Sequence, residues 1–282
     1  MPAQPYYDRD GITIWHGDCL AVLPTLAAES VDIVWTDPPY GHNNNNGDLI
    51  HRREVALGVK QPEGGAEARP IANDGMAEMR SVVDAALKAC VRVLKRDCCC
   101  CCCGGGGGPR PTFAWVADRM DREGLAFFHS VIWDKGGIGM GWRYRRNHEM
   151  VMVAHRKGGH LKWEWPGSGL ETANVVRLPK IIPQANDHPT PKPVELVRHF
   201  LRLHGKPGDQ VLDPFMGGGP TLVAAQQLGM RAIGIELDER WCEMAARRLD
   251  QQVLLMPETV VQRGWDHAVG APTMEIWPGE QP

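Results

Sequence analysis

The sequence predicts an α/β fold, a mostly parallel sheet covered by helices on both faces. Three observations predict it. Apolar strand-like runs alternate with helix-spaced runs along the chain, and helices between apolar strands are how a parallel sheet is connected. Two of the runs, "VDIVW" and six consecutive cysteines, read as strands buried on both sides. Near residue 217 a strand enters a run of three glycines, a helix follows, and a further strand ends in an acid.

Taken in order, Ile12–Leu20 and Val31–Trp35 are the first strands, with Ala21–Ser30 a short helix between them. Met79–Lys95 places Val83, Leu87, Cys90, Val91 and Leu94 at helical spacing, an amphipathic helix leading into Cys98–Cys103. Neighbouring strand residues point to opposite faces, so six cysteines in a row cannot converge on one tetrahedral ion. They are expected to pack as small hydrophobes in a buried strand, with no metal, a metal or redox role being the alternative, and Gly104–Gly108 to form the turn leaving it. Phe113–Gly124 is a helix, Ala126–Lys135 a strand, and Glu149–Lys157 a strand ending in positive charge. Lys192–Gly205 is a helix closed by its glycine. Strand Gln210–Phe215, helix Thr221–Gly229, strand Arg231–Leu237 and helix Glu239–Gln252 complete the pattern. Residues 1–256 are read as one domain with loop insertions at about 41–72 and 134–187, and 257–282 as an irregular tail.

Composition narrows the function. The chain has 282 residues, 43% hydrophobic and 23% charged, as in an ordinary globular protein. No apolar run approaches a membrane span and the first residues do not read as a signal peptide, so a cytoplasmic protein is expected. The formal net charge of -3 means that any nucleic-acid contact must come from a local basic patch.

The glycine turn points to a cofactor. Gly217, Gly218 and Gly219 let backbone approach a ligand, and Glu236 lies about 20 residues on, where a dinucleotide fold places a carboxylate on ribose hydroxyls. The strand before the turn ends in Asp213, which disfavours a pyrophosphate and favours a cation. S-adenosylmethionine, with its sulfonium and ammonium, fits better than a nicotinamide or flavin dinucleotide. The other reading of these residues is a tight strand-to-helix turn whose glycines serve packing only.

Together "TDPPYG", "HPTPKPVELV" and "VLDPFMGGGPT", in that order, resemble the amino-group DNA methyltransferases of the circularly permuted beta class. "VIWDKGGIGMGWRYRRNHEMVMVAHRKG" is similar to the segment between those motifs. The resemblance implies a Rossmann-like sheet of seven strands with one antiparallel edge strand, and S-adenosylmethionine as cofactor. By motif, Asp213, Phe215, Gly217, Gly219 and Thr221 would line the cofactor and Glu236 would hold its ribose. Asp18 would approach the adenine, and Lys192 would close over the methionine part. One position departs: Pro220 stands where the family usually has threonine. Proline suits the first turn of a helix, so the fold is expected to survive, with one hydrogen bond fewer toward the cofactor.

The Asp37-Pro38-Pro39-Tyr40 turn then has a chemical reading. An exocyclic base amine is a poor nucleophile because its lone pair is delocalised into the ring, and hydrogen bonds to good acceptors draw that pair out. Asp37 is one acceptor and the Pro38 carbonyl the second, on backbone that proline stiffens. Tyr40 offers a face for stacking the base, which must be flipped out of the duplex. The set Asp37, Pro38, Pro39 and Tyr40 is therefore expected to be catalytic. Read alone, the four residues would be no more than a rigid turn.

Arg143, Tyr144, Arg145 and Arg146, with Arg52 and Arg53 after the "HNNNNGD" loop, are expected to track double-stranded DNA. The motif leans toward N6 of adenine. N4 of cytosine, a non-catalytic DNA-binding subunit of the same fold, and a nicotinamide oxidoreductase remain as alternatives, and a homodimer is compatible with the sequence.

Overall fold

The computed structural model describes residues 4–41, 71–104, 112–137, 145, 147–165, 167, 172–181, 188 and 190–255. In chain order the elements are β1 (Tyr7–Arg9), β2 (Ile12–His16), α1 (Cys19–Val22), a 3-10 turn (Leu23–Thr25), β3 (Val31–Thr36), α2 (Met76–Val93), β4 (Leu94–Gly104) and α3 (Thr112–Arg122). Then follow β5 (Leu125–Asp134), β6 (His148–Arg156), β7 (Val175–Arg177), α4 (Val194–His204), β8 (Gln210–Asp213), α5 (Pro220–Gln227), β9 (Arg231–Glu236) and α6 (Glu239–Leu255).

The strands make one sheet in the order β1-β2-β9-β8-β3-β4-β6-β5-β7. From β2 to β4 every pairing is parallel, and β6 runs antiparallel to both β4 and β5. The seven-strand sheet that the resemblance implies is present as β2 to β5. Its reversed strand, β6, lies one place in from the end, and three-residue strands β1 and β7 extend the edges. β1 joins β2 through an Asp10-Gly11 turn with φ of 52° and 79°, a hairpin signal that the sequence reading passed over.

Strand β3 lies between β8 and β4 and is buried along its whole length. Alternation sends Ile33 and Trp35 to one face, with Cys99, Cys101 and Cys103, against α4 and α5. Val34 goes to the other face with Cys98, Cys100 and Cys102, against α1, α2 and α3. Trp35 meets Phe200 of α4 with ring centroids 5.2 Å apart. The cysteine strand is thus core on both sides, as its composition suggested, and burial pushes the Cys99, Cys100, Cys102 and Cys103 thiols well above their ordinary pKa. Cys99, Cys101 and His204 bring ligand atoms within 4.8 Å of one another, one donor short of a closed tetrahedral site.

Local departures have local causes. Strand β2 stops at His16 and the helix begins earlier than the apolar pattern suggests, because the Asp18 carboxylate caps α1 by accepting from the Leu20 amide. Pro24 then diverts the chain into the 3-10 turn. Pro220 occupies the first turn of α5, where its missing amide costs nothing. Among the described residues no helix is long and apolar enough to cross a membrane. Gly105–Gly108, most of the 41–72 insertion and the 257–282 tail lie outside the described residues.

The end of the sheet remote from the glycine turn carries an ionic clamp. Asp32, the second residue of β3, is 4% exposed and accepts from Lys95 (2.8 Å), Lys162 (3.0 Å) and the Gln210 amide (3.0 Å). Burial works against its charge, but these three partners outweigh it and hold the carboxyl below its usual range. Asp32→Ala is expected to destabilise the fold by about 3 kcal/mol, by breaking a buried, hydrogen-bonded pair. In the unfolded chain this carboxyl takes up a proton near pH ~4, whereas the folded one stays ionised lower. The clamp's contribution is therefore full above that pH and lost on acidification below it. Thermal melts of both proteins across pH 3–7 check this: the difference in melting temperature should shrink toward the acid end.

Candidate active site

The parallel strands deliver their C-terminal ends to one edge, and the site lies there. β3 ends at Thr36 and hands the chain to Asp37; β8 ends at Asp213; β2 leads to Gly17 and Asp18; β9 ends at Glu236. From β8 the chain crosses to β9 on one side, and from β3 to β4 on the other. The β3/β8 boundary is therefore the switch point where open α/β sheets bind ligands. A cavity of about 990 Å³ opens at this edge. Asp18, Asp37, Pro38, Pro39, Tyr40, Lys192, Asp213, Phe215, Gly217, Thr221 and Glu236 all line it. The two turns that the sequence separates by most of the chain thus share one pocket.

The glycine turn is organised by acids. Asp213 Oδ1 accepts from the Phe215 amide (3.0 Å) and Oδ2 from the Thr221 hydroxyl (2.5 Å). Glu236 accepts from the Gly217 amide (3.0 Å) and the Asp238 amide (2.8 Å), tying the turn to the end of β9. Gly219 is a packing residue: its φ is 76°, and a Cβ there would meet Ala245 Cβ at 2.6 Å. Bare Gly217 backbone lines the cavity beneath His188, whose ring meets Trp241 edge-on at 5.0 Å. Backbone that approaches closely, acids on both sides and an aromatic wall suit a cofactor that is cationic and carries ribose hydroxyls. They do not suit a pyrophosphate.

Burial pushes the Asp213 carboxyl up to about 7, against the pull of Thr221 and Phe215. Below that pH it is neutral and attracts a cation weakly; above it, it is charged. Affinity for a sulfonium ligand is therefore expected to strengthen as pH rises from 6 to 8, and Asp213→Asn is expected to flatten the dependence. Calorimetric titration at several pH values reads both.

At the acid-led turn, Asp37 Oδ2 accepts from Lys192 Nζ at 2.6 Å and Oδ1 from the Tyr40 hydroxyl at 2.5 Å. Lys192 is 6% exposed, and its ammonium also lies 5.1 Å from the Tyr40 ring centroid and 3.5 Å from Glu149 Oε2. Burial pushes the Asp37 carboxyl up, and the adjacent ammonium opposes it. Burial would lower Lys192, but Asp37 and Glu149 outweigh it and keep the amine charged. The Gly41 amide donates to buried Asp74 at 2.9 Å, fixing the chain just past Tyr40.

Several members of this site escape a sequence reading. Asp74 and Trp241 lie outside the quoted motifs, while His188 opens "HPTPKPVELV" and Glu149 sits in the segment ending "HRKG" without a role being evident for either; Glu149, at the start of β6, is 109 positions from Tyr40. Lys192 was expected over the methionine part of the cofactor; the structure places it on Asp37. Of the residues expected to meet DNA, Arg145 is exposed, while Arg52, Arg53, Arg143, Tyr144 and Arg146 lie outside the described residues.

Comparison with known proteins agrees with this architecture. The DNA methylase family model (N6_N4_Mtase) matches residues 31–247. Type II methyltransferase M2.DpnII of Streptococcus pneumoniae is 24% identical over 278 residues, covering 89% of this chain and 94% of its own. Among solved structures, the M1.HpyAVI–SAM complex superposes with a TM-score of 0.59 at 20% identity, over 84% of this chain and 98% of that one. The cytosine-N4-specific PvuII DNA methyltransferase does so with a TM-score of 0.64 at 19% identity, over 88% and 89%. These two likenesses show the fold. The family match covers most of the chain and includes both turns of the pocket, and the chain belongs to the DNA methylase family.

Proposed function

We propose that the protein transfers a methyl group from S-adenosylmethionine to the N6 amine of adenine in duplex DNA. The observation that carries this reading is the single cavity holding both Asp37-Pro38-Pro39-Tyr40 and the acid-lined glycine turn. When bound, S-adenosylmethionine supplies an electrophilic methyl on a positive sulfur. Glu236 would hold the ribose hydroxyls on lone pairs its backbone donors leave free, and Asp213 the cationic end.

The remaining chemistry falls to the acid-led turn. Asp37 and the Pro38 carbonyl accept hydrogen bonds from the two amine protons and turn the nitrogen lone pair toward the methyl. The Asp37 carboxylate and the Pro38 carbonyl are held in place before the substrate arrives. Asp37 would take up the surplus proton once the amine is methylated, the leaving group being the neutral thioether. Lys192 opposes the effect of burial on that carboxylate and favours its charged form. Tyr40 stacks on the extruded base, offsetting part of the few kcal/mol that unstacking costs. Arg145 and the basic residues near it and after the "HNNNNGD" loop would track phosphates.

N4 of cytosine presents the same amine chemistry to the same acceptors, and one structural neighbour carries that specificity in its name. Incubating genomic DNA with labelled cofactor, digesting it to nucleosides and separating them distinguishes the readings. Label in N6-methyldeoxyadenosine is the expected result; label in N4-methyldeoxycytidine would correct the base, and unlabelled DNA would favour a non-catalytic subunit.

A further inference from the structure

Both oxygens of the acceptor carboxylate are engaged. Lys192 Nζ lies on Asp37 Oδ2 and the Tyr40 hydroxyl on Oδ1. A base amine cannot donate along the direction that either donor occupies, and Tyr40 must also present its ring to the incoming base. Each carboxylate oxygen keeps a second lone pair, but moving one of these two donors to another acceptor opens an oxygen fully to the amine. Glu149 Oε2 is 3.4 Å from the Tyr40 hydroxyl and 3.5 Å from Lys192 Nζ, while Oε1 is anchored on Lys135 at 2.9 Å. Burial works against ionisation of Glu149, but Lys192 and Lys135 outweigh it and hold its carboxyl down to about 2. It is therefore a carboxylate, and an acceptor, at neutral pH.

We propose that Glu149 is a positioning residue that takes over the Tyr40 hydroxyl when the target base enters, freeing Asp37 Oδ1 for the amine while Lys192 stays on Oδ2. Tyr40 is the donor that moves because it is neutral. Moving Lys192 would leave Asp37 buried without its counter-charge, whereas moving Tyr40 exchanges one phenol–carboxylate hydrogen bond for another. No covalent bond changes in this step. Empty of DNA, the site is thus a closed one, with its acceptor capped until a base displaces the cap. The inference rests on the amine-methylation reading above.

A double-mutant cycle tests it, with kcat, KM for DNA, cofactor Kd and melting temperature measured for wild type, Glu149→Gln, Tyr40→Phe and the pair. Glu149→Gln is expected to lower kcat about tenfold, the scale of one hydrogen bond to a charged group, with cofactor Kd held within about twofold. In the Tyr40→Phe background, with no hydroxyl to reseat, the same change should lower kcat by less than about twofold. Glu149→Asp keeps the charge but shortens the reach. It should give an intermediate loss that also vanishes without the hydroxyl, which covers the case in which Glu149→Gln folds poorly. An equal loss in both backgrounds, or no loss in either, overturns the proposal. A wild-type enzyme that binds cofactor and methylates no DNA overturns the parent reading, and this inference with it.

Discussion

Asp37→Ala is expected to lower methyl transfer by about 10³-fold or more, the scale seen when a fixed transition-state partner is removed, while cofactor affinity stays within about threefold. The separation follows from the geometry. Asp37 is held by Lys192 and Tyr40 at the end of β3, whereas the glycine turn is organised by Asp213 and Glu236, which bond to Thr221 and to backbone amides. Removing the Asp37 carboxylate takes away the acceptor proposed for the amine and leaves those bonds intact. Single-turnover transfer and calorimetric cofactor titration on the same preparation read the two effects separately. Transfer that persists would overturn the assigned role, and a collapse of cofactor binding would mean that Asp37 organises the glycine turn.

Lys192→Met is expected to act through Asp37. The ammonium lies between two buried carboxylates, 2.6 Å from Asp37 and 3.5 Å from Glu149, and nothing else opposes the effect of burial on Asp37 as strongly. Without it the Asp37 carboxyl rises further. An acid with a raised pKa is a carboxylate only above that pKa, so the acidic limb of the pH–rate profile should move to higher pH. Each unit of rise removes up to about tenfold of the ionised form at a fixed pH below the pKa. At neutral pH transfer should fall by about 10²-fold, with partial recovery in alkaline buffer. Stability should drop by about 3 kcal/mol as well, because the carboxylates are left buried and underpaired. Lys192→Arg preserves the charge and should retain the wild-type profile more closely. A profile that falls in amplitude without shifting would argue that Lys192 serves the cofactor instead.

Much of this was legible in the residues themselves, for physical reasons that differ by feature. β3 and the cysteine strand are readable because a strand covered on both faces is a continuous apolar run. The acid-led turn and the glycine turn are readable because each packs its chemistry into consecutive residues. Asp10-Gly11 was equally readable and marks a hairpin. The Tyr40–Glu149 and Asp37–Lys192 pairings are of another kind, joining positions 109 and 155 residues apart. No local pattern reports which carboxylate a lysine will meet once the sheet has formed. The placement of Asp18 shows the reverse case: its resemblance-based role concerns the cofactor, yet its side chain also caps α1 on the pocket wall.

The claim on which the rest depends is that the two turns form a single methyl-transfer site for a base amine. The structure of the protein bound to a target duplex and a non-reactive cofactor analogue tests it most directly. The account expects an extruded base stacked on Tyr40, its amine bonded to Asp37 and the Pro38 carbonyl, and its nitrogen about 3–3.5 Å from the position of the transferable methyl. A base still stacked in the duplex, or a cofactor seated away from the Gly217 turn, would contradict it.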